Sequence, residues 1–257
     1  MEHAKHTLAP WRWRSVVATT TGRRDNNEDA YLAEDELGLY VVADGMGGYE
    51  GGEIASQAAT EAMAQLYTRL SADVDATWPL KPAKFYTWDE GVLEVAIRQA
   101  HLAIESRRTP VLTQMGSTVV ALVARDDQLT VGHVGDSRLY RLRDGQLIAL
   151  TADHSFYEEY CRQVGKRADP REFAWSNIIT RALGTDKHTP DVTSVRAELG
   201  DRYLLCSDGL TEKLTDAEIA ELLGRYRPAE ALRLLMECAW EAGTKDNTTA
   251  IIAWPML

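Results

Sequence analysis

The sequence predicts a single domain of the α+β class. Two blocks of strand-like pattern are separated and flanked by pairs of segments with helical periodicity, and no linker-like stretch interrupts them. The 257 residues are enough for one large domain or two small ones. Because neither an internal repeat nor a low-complexity tract divides the chain, we expect one domain.

The first part of the chain is predicted to begin with strands and to continue with two helices. Short β-prone runs at 15–19 and 39–43 are separated by turns that carry Gly and Asn. Apolar residues then recur at helical spacing over 54–70 and over 93–104. The intervening segment 71–90 holds two prolines and two tryptophans, which indicates a loop.

The middle of the chain is predicted to form consecutive antiparallel strands. From Ser117 the period of the apolar residues changes to two, and runs with this period lie at 119–123, 129–134, 139–142 and 146–150. The pair Asp144-Gly145 is typical of the tight turn in a β-hairpin. We expect a short helix at 155–164 and then a polar, mobile surface loop at 165–177.

The last part of the chain returns to strand, with two helices before its final strand. Strand patterns lie at 178–182, 193–197, 203–206 and 248–253. Thr215 and Glu218 have the spacing of a capping box, which predicts a helix that begins there. Pro228 suits the first turn of a second helix.

The composition disfavours several classes of protein. The chain has 28 Lys and Arg against 39 Asp and Glu, and its net charge of −11 disfavours nucleic acid as a partner. No stretch approaches roughly 18 uninterrupted apolar residues, so we expect no membrane span, and no apolar run of a secretory signal follows the first basic residues. Three cysteines match neither a zinc pattern nor a disulfide framework, which indicates reduced thiols and a cytoplasmic location.

Aspartates at the ends of apolar strands are the most informative feature of the sequence. An Asp-Gly pair follows the strand patterns at Asp44 and Asp208, a Gly-Asp pair ends a third at Asp136, and Asp246 precedes the last strand. Four converging carboxylates would repel one another unless cations lay between them, and oxygen ligands of this kind suit Mg²⁺ or Mn²⁺. A single Asp-Gly pair is usually only a turn. The junctions alone therefore leave open whether they form turns or a metal site.

A fifth motif, the charged run RDNNED at 24–29, changes the interpretation of these junctions. In this order the five motifs resemble those of the metal-dependent protein phosphatases (the type 2C serine/threonine phosphatases), most closely the compact bacterial members. The resemblance implies a four-layer α-β-β-α sandwich of two antiparallel sheets flanked by helix pairs. It also implies one phosphatase domain over 1–257, with a core at about 15–253, an N-terminal extension at 1–14 and a flap loop at 165–177.

The resemblance assigns a catalytic role to four carboxylates. Asp44 would bridge two metal ions, with the carbonyl group of Gly45 on one of them and Asp208 and Asp246 on the other. Glu28 would act mostly through a metal-bound water. The expected cofactors are two tightly bound Mg²⁺ or Mn²⁺ ions, which would activate a water molecule for in-line attack on phosphorus.

Three further residues complete the implied site. Asp29 would support the ligand shell, Asp136 would help to bind a third, weaker metal ion, and Arg24 would hold the substrate phosphate through its fork of donors. Gly22 lies one residue closer to Arg24 than is usual in the bacterial relatives. Arg23 is therefore the alternative phosphate-binding residue.

Met46 departs from the pattern of many eukaryotic relatives, which carry a histidine there that has been proposed as the general acid. A methionine side chain cannot donate a proton. The leaving group would then take its proton from water or from another group, such as Asp136 with its surroundings.

Together these features predict a phosphatase that hydrolyses phosphoserine and phosphothreonine in proteins. The expected partners of the monomeric chain are phosphorylated proteins, either a bacterial Ser/Thr kinase that the phosphatase opposes or the targets of that kinase. Neither nucleic acid nor a membrane is expected. Two alternatives stay open. A catalytically weak, phosphatase-like regulator would bind phosphoproteins, although such proteins usually lack a metal ligand. A two-metal phosphodiesterase would use similar carboxylates, although the acidic charge disfavours it.

Overall fold

The computed structural model describes residues 11–47, 50–73, 75–83, 87–167, 173, 175 and 178–257. The strands in these residues are β1 (Arg12–Thr20), β2 (Asp29–Glu34), β3 (Leu39–Met46), β4 (Gly116–Ser117), β5 (Val119–Arg125), β6 (Gln128–Val134), β7 (Arg138–Arg143), β8 (Gln146–Ala149), β9 (Asp191–Arg196), β10 (Arg202–Cys206) and β11 (Thr248–Met256). The helices are α1 (Gly51–Ala72), α2 (Trp88–Ser106), α3 (Phe156–Val164), α4 (Asp208–Thr211), α5 (Asp216–Arg225) and α6 (Pro228–Glu241).

The strands form two antiparallel sheets. In sheet A the strand order is β1-β11-β10-β7-β8. In sheet B the order is β2-β3-β5-β6-β9, and the two-residue strand β4 pairs with β3. Half of the ten pairs of consecutive strands in the described residues also pair in space, among them β5 with β6 and β7 with β8, as the period-two pattern of the middle region predicts. β6 and β7, by contrast, lie in different sheets.

Three layers of buried apolar side chains join the sheets to the helices. α1 and α2 cover the outer face of sheet B, side chains of both sheets fill the space between them, and α5 and α6 cover the outer face of sheet A. In β3, Val41 packs toward the helices while Tyr40 and Val42 pack between the sheets, because successive side chains of a strand point to opposite faces. The predicted four-layer sandwich is confirmed.

The predicted starts of the last two long helices are confirmed. The side chain of Thr215 accepts a hydrogen bond from Glu218 N–H, and the Glu218 carboxylate accepts one from Thr215 N–H, so the capping box is formed. Pro228 lies in the first turn of α6. No helix in the described part of the chain is long and apolar enough to cross a lipid bilayer.

Two strand predictions differ from the structure. The edge strand β2 has no counterpart in the prediction, because its six residues are half-buried or exposed and lack an apolar run. The strand predicted at 178–182 is wrong. This stretch makes single bridges, from Ile179 to Ser155 and from Leu183 to Ser117, and so pairs with two separate segments instead of one strand. The predicted mobile loop at 165–177 falls mostly outside the described residues.

Candidate active site

The four strand-end aspartates lie at one edge of the sandwich. β3 and β6 run parallel because each is antiparallel to β5 between them, so Asp44 and Asp136 lie at the same edge of sheet B. In sheet A, β10 ends where its antiparallel partner β11 begins, which brings Asp208 near Asp246. Ser207, next to Asp208, donates through Oγ to Asp29 Oδ2 at 2.9 Å, and Asp29 lies opposite Asp44 in sheet B, so the two edges face each other.

Asp44 lies among the other carboxylates. Burial raises its pKa well above the ordinary value, and further contributions come from the charges of Asp29, Asp208, Asp136 and Asp246. The backbone of Asp44 is fixed by Thr118, whose N–H donates to the Asp44 carbonyl at 2.8 Å and whose Oγ1 accepts from Asp44 N–H at 3.1 Å. The strand therefore holds a carboxyl group where its charged form is unfavourable unless a cation is bound.

Two of these carboxylates have a buried oxygen without a hydrogen-bond partner, Asp208 Oδ1 and Asp29 Oδ1. Burial raises the pKa of Asp208 well above its ordinary value and that of Asp29 to about 6. The second oxygen of Asp29 accepts a hydrogen bond of 2.9 Å from Ser207 Oγ, which links the two sheets. An unpartnered buried acceptor costs about 1–3 kcal/mol, and more when charged. These oxygens therefore fit the implied Mg²⁺ or Mn²⁺ ions, which prefer carboxylate ligands.

Glu28 and Gly45 meet at the first turn of α1. Gly45 N–H donates to the Glu28 carbonyl at 3.0 Å, and Glu28 N–H donates to Asn247 Oδ1 at 2.8 Å. A Cβ on Gly45 would lie 2.0 Å from the Gly52 carbonyl oxygen, so only glycine allows β3 to approach the helix this closely. Burial raises the pKa of Glu28. The glycine that the sequence places beside Asp44 is thus required by packing, whatever its carbonyl group binds.

Arg24, rather than Arg23, reaches the acidic cluster. Arg24 Nη2 donates to Asp246 Oδ2 at 2.7 Å, and this bond raises the pKa of the arginine, while its side chain stays 57% exposed. The guanidinium group of Arg23 instead lies over the ring of Trp240, 5.7 Å from its centroid. Of the two candidates, the structure places Arg24 where a substrate phosphate could meet both the arginine and the carboxylates.

Asp136 faces the cluster from the turn between β6 and β7. Burial raises the pKa of Asp136 to about 6, with a further contribution from Asp153. After burial, the charge of Asp136 is the largest cause of the raised pKa of Asp208. All the predicted site residues are therefore brought to the same edge, and the metal-binding roles of Asp136 and the others remain predictions.

Sequence reasoning missed the positioning role of two residues, Asn247 and Thr118. Asn247 accepts from Glu28 N–H and donates through Nδ2 to the carbonyl groups of Thr21 and Asn26, at 2.9 and 2.8 Å. Because Asn247 directly follows Asp246 in the same motif, the sequence could have indicated that it lies at the site. Thr118 had no such signal, because it lies 74 residues from Asp44 and outside every motif.

One further cluster resembles a metal site. Among the described residues, one group of three His, Cys, Asp or Glu side chains has ligand atoms that all lie within 4.8 Å of one another: His133, His154 and Asp191. No three of the predicted carboxylates come that close within the described part of the chain.

A four-layer sandwich with carboxylates at its strand ends is the arrangement of the metal-dependent serine/threonine protein phosphatases. The chain belongs to the protein phosphatase 2C family, whose model matches residues 20–246. It is 32% identical to the serine/threonine phosphatase stp of Listeria innocua over 242 residues, which cover 91% of this chain and 92% of that protein.

A relative from Mycobacterium tuberculosis and a solved structure connect the family to metal ions. The chain is 37% identical to the serine/threonine protein phosphatase PstP over 235 residues, which cover 90% of this chain and 42% of PstP, so it spans less than half of that relative. The catalytic domain of PstP, solved in complex with 2 manganese ions, superimposes with a TM-score of 0.77 at 34% identity and covers 96% of this chain and 100% of that one.

Proposed function

We propose that this chain removes phosphate from phosphoserine and phosphothreonine in proteins. The observation that carries the proposal is the group of buried carboxylates with raised pKa values and unpartnered oxygens, beside one exposed arginine. A site of this kind attracts divalent cations first and, once they are bound, a phosphate dianion. The named relatives are serine/threonine phosphatases, which supports this choice of substrate.

The carboxylates supply the metal-binding part of the proposed site. Two divalent ions bound there would offset the negative charge and lower the pKa of a water molecule, which is the chemistry that hydrolysis of a phosphomonoester needs. The proposed ligands are Asp44, Gly45, Asp208 and Asp246, with Glu28 acting through water and Asp136 serving a third, weaker ion.

Arg24 supplies the substrate-binding part of the proposed site. Its guanidinium group is exposed and can present two donors to one phosphate group. In the structure one of these donors bonds to Asp246, so the arginine already lies at the rim of the metal-binding carboxylates. The leaving serine or threonine oxygen would take its proton from water or from another group, because Met46 has none to give.

The proposed biological setting is the dephosphorylation of a bacterial Ser/Thr kinase or of its targets by a monomeric, cytoplasmic enzyme. Compact relatives such as stp of Listeria innocua match this chain over nearly their whole length. Cys161, Cys206 and Cys238 are all free, which suits a reducing compartment.

Substrate choice tests the proposal. Purified protein should release inorganic phosphate from a phosphothreonine peptide when Mn²⁺ is present and stop when a chelator is added. A diester, bis-aryl phosphate, should react far more slowly than the monoester. Preference for the diester would favour the two-metal phosphodiesterase, and tight phosphopeptide binding without turnover would favour the phosphatase-like regulator.

A further inference from the structure

His154 connects the turn that carries Asp136 to the segment beyond α3. The residue is 4% exposed and lies between β8 and α3. Its N–H donates to the Gly135 carbonyl at 2.8 Å, and its own carbonyl accepts from Thr180 N–H at 2.6 Å. The next residue, Ser155, bridges to Ile179. One buried residue thus joins three segments that are distant in the sequence.

The ring of His154 lies near three polar groups, and the hydrogen bond at Nδ1 determines its tautomer. Nδ1 accepts a hydrogen bond of 3.1 Å from Gly135 N–H, so the ring proton must be on Nε2. Nε2 lies 3.1 Å from Asp191 Oδ2 at the start of β9 and donates to it. Arg181 Nη1 donates to the other oxygen, Asp191 Oδ1, at 3.1 Å. Every polar atom of the ring is therefore used.

The same hydrogen bonds argue against a metal ion between His133, His154 and Asp191. A cation bound at His154 Nε2 would displace the proton to Nδ1, where Gly135 N–H already points. The Arg181 guanidinium group, 3.2 Å from Nε2, adds a positive charge at the same place. His133 stacks on His154 at 4.4 Å between centroids and bonds through Nε2 to the Ala152 carbonyl at 2.9 Å. The cluster is thus a hydrogen-bonded support for the turn.

The turn that His154 supports has little freedom. Gly135 has a φ of +108°, and an added Cβ would lie 2.6 Å from the side chain of Thr118. On the other side of Asp136, Ser137 Oγ lies 2.8 Å from Thr118 Oγ1, the same atom that accepts from Asp44 N–H. Asp136 therefore lies between two residues that are held by hydrogen bonds. Gly135 is held by the His154 ring, and Ser137 is held by the Thr118 hydroxyl group.

We propose that His154 is a positioning residue of the active site: its Nδ1 fixes the Gly135 peptide and so directs the Asp136 carboxylate toward Asp208. The inference rests on the proposed function, because it treats Asp136 as part of the metal-binding site. His154 itself touches neither substrate nor metal ion. Its bond to Asp191 through Nε2 holds the ring in the orientation that presents Nδ1 to Gly135.

Two substitutions separate the acceptor from the donor. In His154→Asn the amide oxygen can replace Nδ1 as the acceptor for Gly135 N–H, but the shorter side chain loses Asp191. In His154→Gln the amide nitrogen can replace Nε2–H toward Asp191, but Gly135 N–H loses its acceptor. His188→Asn and His188→Gln are matched controls, because His188 lies outside this network on the partly exposed loop before β9.

The experiment measures phosphopeptide turnover against Mn²⁺ concentration, with thermal unfolding of each variant as a control for folding. We expect His154→Gln to lower kcat about tenfold, or about 1.4 kcal/mol, and to need more Mn²⁺ for half-maximal rate. His154→Asn should stay within about threefold of the wild type. Loss of activity in both variants in proportion to lost stability, or in neither, would overturn the proposal.

Two readouts do not depend on catalysis. In ¹H–¹⁵N spectra of the His154 ring, the protonated nitrogen should be Nε2, and a proton on Nδ1 would contradict the proposal. Mn²⁺ titrations by calorimetry should show weakened binding in His154→Gln but not in His154→Asn, and equal isotherms would also overturn it. A wild-type protein that is inactive on phosphopeptides would instead count against the proposed function.

Discussion

Two aspartates at opposite ends of β10 represent two kinds of buried carboxylate. Asp201 supports the fold through hydrogen bonds, whereas Asp208 has an oxygen that is available to a ligand. Asp201, just before the strand, is 1% exposed and accepts bonds from Arg143 Nε and Nη2, both at 2.7 Å, and from Tyr203 at 2.6 Å. Asp208, just after the strand, keeps one buried oxygen with no partner. Both aspartates lie beside a glycine, but only Asp208 follows the strand.

The pKa values of this pair shift in opposite directions. Burial alone would raise the pKa of Asp201, but hydrogen bonds from Arg143 and Tyr203 outweigh it and lower the pKa. Burial raises the pKa of Asp208, and the nearby charge of Asp136 raises it further. A buried carboxylate that lacks compensation from the protein is therefore the one to expect at a functional site.

The largest effect should follow from Asp208→Asn. Removal of one proposed anionic metal ligand should lower kcat on a phosphothreonine peptide by more than about a hundredfold, since a bound cation contributes several kcal/mol to the stability of the transition state. The fold should stay intact, because no residue in the described part of the chain donates a hydrogen bond to the Asp208 side chain. Steady-state rates at saturating Mn²⁺ test this, and wild-type turnover in the variant would remove Asp208 from the site.

The opposite pattern should follow from Asp201→Ala. Arg143 and Tyr203 lose their shared partner, so the free energy of unfolding should fall by about 3 kcal/mol. The variant that remains folded should keep the wild-type kcat. Urea unfolding and steady-state rates, measured on one preparation, test the expected loss of stability and the unchanged kcat. A large loss of kcat without a loss of stability would contradict the structural role assigned to Asp201.

Arg24→Ala tests the link between the carboxylates and the substrate. The loss of a charged hydrogen bond to phosphate, about 1.5–3 kcal/mol, should raise KM by about ten- to a hundredfold. Arg23→Ala is the matched control and should leave KM unchanged, because Arg23 lies over Trp240. A normal KM for Arg24→Ala combined with a raised KM for Arg23→Ala would transfer the role to Arg23.

A smaller effect on stability should depend on pH. The pKa of Asp136 is raised to about 6, so its charge is unfavourable in the fold above that pH and absent well below it. In the metal-free protein, Asp136→Asn should therefore raise the free energy of unfolding by about 2 kcal/mol at pH 7.5, by about half as much at pH 5 and by little below about pH 4, where Asp136 is protonated in the unfolded chain as well. The histidines titrate in both the wild type and the variant, so their contribution cancels when the two free energies of unfolding are subtracted at each pH. A pH-independent difference would show that the charge of Asp136 is tolerated.

The sequence predicts the carboxylates of the candidate site better than the groups that hold them. Asp44, Asp136, Asp208 and Asp246 lie at strand ends beside Gly or Asn, a local pattern that can be read directly. The bond between Asp201 and Arg143 spans 58 residues and follows no motif. Such contacts arise only when the sheets pack, so local sequence cannot reveal them.

The same limit explains the errors in secondary structure. Strands buried on both faces, such as β5, are read from their apolar runs. The edge strand β2 has no buried residue, and its pairing depends on Asp29 lying opposite Asp44 in β3. The stretch at 178–184 has strand-like composition, but it bonds to two different segments because Thr180 and Leu183 meet His154 and Ser117.

Thermal unfolding with and without Mn²⁺ tests the central claim most directly, that the uncompensated carboxylates form a cation site. A cation that binds only the folded chain stabilises it by about 2.7 kcal/mol at a hundredfold excess over Kd. For a domain of this size, the Tm of the chelated protein should rise by about 5–10 °C. Asp44→Asn should abolish most of the rise, because Asp44 is assigned to both ions. A full rise in Asp44→Asn, or none in the wild type, would contradict the account.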